Sequence, residues 1–210
     1  METLLIVDDD PAIREVFSIL LSKHGYTVHA APGGRECLDC LKKTSPDLVM
    51  LDIMMHPIDG WETLTAIRKN PETGVLPTIM FSGKSPSREE VLMYGGWIED
   101  YLMKPLTMQI ISRSLASVFE RSRTDADARL LYLRSGADPA LVEEYFNLRR
   151  FLFIRDKFSR EFCDEPEGSG SQTGRRRERL VELTRMLASL TTGGGTGSAG
   201  PVMESHDMAR

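Results

Sequence analysis

The chain has 210 residues, of which 41% are hydrophobic and 27% charged, the balance of a globular protein with one ordinary domain and something smaller beside it. A formal net charge of −5 disfavours indiscriminate nucleic-acid binding, and no apolar run approaches the roughly 18 residues that suggest a membrane span. Met1-Glu2-Thr3 leads straight into an apolar run without a basic leader, so the protein is expected in the cytoplasm.

From residue 3 to about 123, short apolar runs alternate with helical patterns. Leu4 to Val7 reads as a strand, and Pro11 to Lys23 as a helix with Ile13, Phe17 and Leu20/Leu21 on one stripe. Asp10 is the expected N-cap of that helix, with Pro11 at its first position. Tyr26 to Ala30, Leu48 to Leu51, Thr78 to Phe81 and Asp100 to Met103 are the remaining strand-like runs. Helical patterns at Gly34 to Lys43, Trp61 to Lys69, Ser87 to Tyr94 and Thr107 to about Arg123 separate and follow them. Ser87-Arg88-Glu89-Glu90 has the form of a capping box. Unalternating apolar strands separated by helices fit a parallel sheet buried on both faces, so residues 1–123 are expected to form a doubly wound α/β domain of five βα units.

Beyond 123 the strand pattern stops. A helix-like stretch from Asp125 to Ser135 meets Gly136, and Asp138-Pro139 opens a second helix as cap and first residue. Residues 124–165 are thus a helical extension, whose Phe146, Phe151, Phe153 and Ile154 give it more than a narrow apolar stripe and imply that it packs against something. Residues 166–174 read as a Gly/Ser-rich linker and 175–190 as an amphipathic helix with Leu180, Leu183, Leu187 and Leu190 at heptad spacing. Residues 191–210 are expected to be a disordered tail. Cys37-Leu38-Asp39-Cys40 spells C-x-x-C, but it lies within a helical pattern and no second ligand pair accompanies it, so the two thiols are expected to pack.

The chemistry lies where the strands end. Leu4 to Val7 runs into Asp8-Asp9, Leu48 to Leu51 into Asp52, Thr78 to Phe81 into Ser82, and Tyr101 to Met103 into Lys104-Pro105. Open α/β sheets bind ligands in the crevice outside the carboxyl ends of their strands. Three carboxylates, a hydroxyl and an ammonium gathered there suit a divalent metal and a phosphoryl group. Asp52 is the natural acceptor, because a carboxylate can form an acyl phosphate. Added phosphoryl charge beside Asp8, Asp9 and Asp52 calls for a hard cation, and Mg²⁺ suits one or two carboxylates plus a phosphate. Lys104 offers a point charge and Ser82 a hydroxyl to the phosphoryl oxygens, with Gly83 leaving room. Taken singly, each residue has an ordinary reading: a helix N-terminal acidic cluster, a turn serine, a surface lysine. Their joint placement at strand ends does not.

In this combination residues 3–123 resemble the response regulator receiver domain of two-component signalling. Leu5-Ile6-Val7-Asp8-Asp9-Asp10-Pro11 resembles the family's acidic opening, and Leu48 to Met55 with Asp59-Gly60 its phosphoacceptor strand and loop. The resemblance implies a strand order of 2-1-3-4-5, the flavodoxin-like arrangement of a doubly wound sheet. It implies Asp52 as phosphoacceptor, with Mg²⁺ held by Asp9, Asp52 and the backbone carbonyl of Met54, and by Asp8 through water. It also implies Ser82 as switch hydroxyl, Tyr101 as switch aromatic, and a cis peptide bond before Pro105. The donor would be a phosphohistidine on a histidine kinase or phosphotransfer protein. Met54 and Lys84 would flank the route of the hydrolytic water and tune the lifetime of the phosphoryl group. Two departures stand out: His56 occupies the place usual for Pro, with Pro57 following, and Ser82-Gly83 replaces the commoner Thr-Ala.

Three outputs compete. The first is a switch that signals through protein–protein contacts, on the face formed by the fourth strand, its following helix and the fifth strand, or through the extension, with homodimerisation or a helical partner as the expected mode. The second is a DNA-binding regulator, to which Arg175-Arg176-Arg177 and Arg179 lend a basic cluster but no winged-helix or helix-turn-helix pattern. The third is a haloacid-dehalogenase-like phosphatase with Asp8 as nucleophile and Asp10 as general acid. Pro11, the lack of an acidic pair after Lys104 and the idle Asp52 count against it. A phosphoacceptor of the first kind is not an enzyme, beyond phosphorylating itself from small donors and slowly losing the group.

Overall fold

The computed structural model describes residues 1–162 and 171–192. Five parallel strands, β1 (Thr3–Val7), β2 (Thr27–Ala31), β3 (Leu48–Asp52), β4 (Thr78–Ser82) and β5 (Asp100–Met103), form one sheet in the order β2-β1-β3-β4-β5. The central β3 and β4 are buried at every position, as apolar runs with no alternation require, whereas the edge strand β2 is half exposed. Side chains still alternate between two cores. Leu5, Val7, Val49, Leu51 and Met80 face one side, and Leu4, Ile6, Leu48, Met50, Ile79 and Phe81 the other.

The second of these faces is covered by α1 (Pro11–Lys23), through Phe17 and Leu21, and by α5 (Met108–Arg134), through Ile111, Leu115 and Val118. The first is covered by α2 (Gly34–Leu41), α3 (Gly60–Lys69) and α4 (Arg88–Tyr94). The expected caps form: Asp10 accepts from the N–H of Ala12, and Ser87 and Glu90 close a capping box at α4. Cys37 is buried, and burial together with neighbouring Cys40 pushes its thiol up to about 12, which suits packing and not redox chemistry.

The extension departs from its expected boundaries in three places. α5 runs unbroken through residue 123 to Arg134, so the boundary placed there falls inside one helix. Its N-terminal half belongs to the sheet, while Ala128 and Tyr132 belong to a third core. α6 (Pro139–Phe162) follows the left-handed Gly136 and adds Leu141, Val142, Tyr145, Phe146 and Leu148 to that core. α7 (Gln172–Thr192) begins three residues before Arg175, where Ser171 accepts from the N–H of Gly174 and its carbonyl from the N–H of Arg175. The macrodipole explains the shift, since a helix opening on a run of arginines would put positive charge at its positive end. Residues 171–174, assigned to the linker, therefore belong to this helix and its cap, and residues 191 and 192, assigned to the tail, are its last two positions. Leu180, Leu183 and Leu187 close the three-helix core, while Leu190 is exposed. The rest of the expected linker, Cys163 and the tail from residue 193 onward lie outside the described residues. Among the described residues no helix is long and apolar enough to cross a membrane.

Candidate functional site

The carboxyl ends of β1, β3, β4 and β5 converge because the sheet is parallel and β1, β3 and β4 are neighbours. Asp8 follows β1, Asp52 ends β3, Ser82 ends β4 in the register one step beyond Phe81, the partner of Asp52, and Lys104 follows β5. Lys104 Nζ lies 2.9 Å from Oδ2 of Asp8 and 3.2 Å from Oδ2 of Asp52, and 5.1 Å from the centroid of the Phe81 ring. One carboxylate oxygen each from Asp8, Asp9 and Asp52 lies within 4.8 Å of the others. Asp52 is only 2% exposed, and its Oδ1 has no hydrogen-bond partner. A buried orphan acceptor beside two further carboxylates is the arrangement a hard divalent cation fits.

The electrostatics follow from this crowding. Burial holds the Asp52 carboxyl above the usual carboxylate range, the charge of Asp8 adds to the effect, and Lys104 with the backbone N–H of Met54 opposes it. Burial would lower the Lys104 ammonium, but its hydrogen bond to Asp8 and the charges of Asp52 and Asp8 outweigh that and hold it above its ordinary value.

Local backbone geometry sets the loop after Asp52. A Cβ on Gly60 would lie 2.2 Å from the carbonyl oxygen of Asp52, so only glycine lets α3 start this close to the strand end, where its N–H donates to the carbonyl of Ile53. Asp59 caps the helix in a box with Glu62. The peptide bonds before Pro57 and Pro105 are both cis. Met54 and His56 are exposed at this loop, while Met55 enters the core.

Other expected site residues fall as follows. Asp10 is spent on capping α1, which removes it from the role a phosphatase would need. Ser82 is buried, and its Oγ accepts from the N–H of Lys84 at 3.2 Å. The Tyr101 hydroxyl donates to the carbonyl of Lys84, and burial raises its pKa. A Cβ at Gly83 would meet nothing within 4 Å, so the space beside Ser82 is open. The side chain of Lys84 is exposed. Arg14 escaped the sequence analysis: its guanidinium donates to the carbonyls of Asp8 (2.7 Å) and Asp9 (3.0 Å) and pins the acidic turn. Its position one turn into α1 was the available signal.

A doubly wound sheet whose carboxyl edge carries an acidic cluster, a half-buried lysine and a buried hydroxyl defines a class of phosphoryl-handling switch proteins, and known proteins narrow it. The response regulator receiver domain model matches residues 4–116. Response regulator MprA of Mycolicibacterium vanbaalenii is 31% identical over 160 residues, covering 74% of this chain and 68% of that one. Among solved structures, response regulator TrrA of Thermotoga maritima, determined in complex with Mg²⁺-BeF, matches with 29% identity and a TM-score of 0.51, over 56% of this chain and 99% of that one. Chemotaxis protein CheY4 of Vibrio cholerae matches with 28% identity and a TM-score of 0.53, over 56% and 98%. The chain belongs to the response regulator receiver family of two-component systems.

Proposed function

We propose that this protein is a response regulator that takes a phosphoryl group from the phosphohistidine of a histidine kinase or phosphotransfer protein onto Asp52. The observation that carries the reading is Asp52 itself: a buried carboxylate at the end of the central strand, one oxygen orphaned and the other 3.2 Å from Lys104, with Asp8 and Asp9 alongside. In the transfer, a bond forms between phosphorus and an Asp52 oxygen as the P–N bond of the donor breaks, and its electron pair returns to the imidazole. Asp9, Asp52 and the carbonyl of Met54 would hold Mg²⁺, with Asp8 acting through water. When bound, the ion neutralises the charge that the phosphoryl oxygens bring. Lys104 binds one phosphoryl oxygen and Ser82 donates to another.

The phosphorylated site then biases a two-state element. Ser82 drawn toward the phosphoryl group leaves room for the Tyr101 ring, and the face made by β4, α4 and β5 changes. Protein contacts are the favoured output, because the basic cluster of α7 is engaged within the protein. Arg176 lies over Phe151, Arg177 pairs with Asp156, and Arg179 grips Glu144 at 2.8 and 2.9 Å. Acetyl phosphate with Mg²⁺ should add one phosphoryl group to the wild type and none to Asp52→Asn, read by intact mass. Equal labelling of the variant would sink the assignment.

A further inference from the structure

α6 lies across the face that the switch is expected to change. Ile154 and Phe158 enter the same cluster as Val91, Ile98 and Tyr101. Three successive residues entering β5 are tied to the helix: Glu99 by Arg150 (2.9 Å), Asp100 by Lys157 (2.6 Å), and the Tyr101 carbonyl by Lys157 (2.9 Å). The end of α4 is shaped for this contact. A Cβ at Gly95 would lie 2.5 Å from the Val91 carbonyl of α4 itself and 3.3 Å from Phe151, and one at Gly96 3.3 Å from the Asn147 carbonyl, so α6 packs closely on a turn already shaped for glycine. α7 reinforces it, for Arg176 stacks 3.9 Å over Phe151 and donates to the Leu92 carbonyl at 3.4 Å.

The helix covers a particular conformer of Tyr101. The ring is 5% exposed, its hydroxyl donates to the Lys84 carbonyl, and the N–H of that same Lys84 donates to Ser82 Oγ. Docked α6 therefore buries the inward ring and occupies the surface over which the ring would swing outward. A phosphoryl group on Asp52 that draws Ser82 toward itself enlarges the space for the same inward ring. Two ligands that stabilise one conformer strengthen each other's binding by the same factor.

We infer that α6 is a resident ligand of the Tyr101 face, positively coupled to phosphoryl occupancy of Asp52, so that phosphorylation tightens the docked extension instead of releasing it. The inference rests on the phosphoacceptor reading of Asp52. The test is hydrogen exchange on the full chain in Mg²⁺, with and without beryllium fluoride as phosphoryl mimic, and with Asp52→Asn as control. Amides of residues 150–158 should exchange roughly tenfold more slowly with the mimic bound. Reciprocally, Ile154→Asp should bind beryllium fluoride roughly tenfold more weakly by calorimetric titration. If that variant fails to fold, Lys157→Ala carries the same direction. Unchanged or faster exchange in α6 under saturating mimic would overturn the coupling alone. Absence of Asp52-dependent binding would overturn the phosphoacceptor reading and the coupling with it.

Discussion

Lys157, on α6, holds its ammonium 2.6 Å from Oδ1 of Asp100, the first residue of β5. Asp100 is buried, and its carboxylate also accepts from the Tyr101 N–H at 2.8 Å and the Ser114 hydroxyl at 2.5 Å. Lys157→Ala leaves those two donors in place, so the loss is that of a partly exposed cation's two hydrogen bonds, to Asp100 and to the Tyr101 carbonyl (2.9 Å). Urea unfolding should show a destabilisation of about 1–2 kcal/mol. A change within error would mean that the pair contributes nothing to holding the extension.

Asp52→Asn should stabilise the metal-free protein near neutral pH, by about 1 kcal/mol, because it removes a buried charge with an orphaned oxygen. The sign with pH follows from the raised carboxyl. The native state holds this proton more tightly than the unfolded chain, whose value is near 3.8, so this group's contribution to stability falls as pH rises from there through the raised native value. The advantage of Asn over Asp should therefore shrink as pH is lowered into the ordinary carboxylate range. Added Mg²⁺ should shrink it too, by stabilising the wild type through mass action. Denaturation at several pH values with and without Mg²⁺ measures both trends.

Gly60→Ala places a methyl group 2.2 Å from the Asp52 carbonyl oxygen. Either the start of α3 or the acceptor strand has to move. A loss of about 2–3 kcal/mol in urea unfolding is expected, with slower labelling by acetyl phosphate. Normal stability would show that the loop is less rigid than its contacts indicate.

Met54, 56% exposed beside the acceptor, has a side chain that cannot hydrogen-bond an attacking water. Autodephosphorylation should be slow. Met54→Asn, which supplies an amide at that place, should accelerate it about tenfold, a barrier change of about 1.4 kcal/mol. Loss of label from the wild type within seconds would contradict this.

Much of the receiver half was legible because its signals are local. Val7-Asp8, Leu51-Asp52, Phe81-Ser82 and Met103-Lys104 each mark a strand ending in chemistry, and a parallel sheet brings such ends together whatever the details of packing. Asp10 and Ser87 announced their helices for the same reason, since a cap acts within four residues. Arg14 was missed because its partners are backbone carbonyls, which leave no residue type to read. The boundary at 123 was misplaced because a sheet-packing helix and a bundle helix share one periodicity, so a helix that changes partners midway shows no break.

The sequence by itself determined that this chain carries three carboxylates, a hydroxyl and a lysine on one sheet edge. It also determined that an apolar helical segment follows. Amphipathicity states that such a helix buries a face, but not against what, because the partner surface is assembled from residues far away along the chain. Only the tertiary structure decided that Ile154, Lys157 and Phe158 settle over Val91, Asp100 and Tyr101. That placement depends on complementary charge, on the space left by Gly95 and Gly96, and on α7 closing behind, none of which a local pattern encodes.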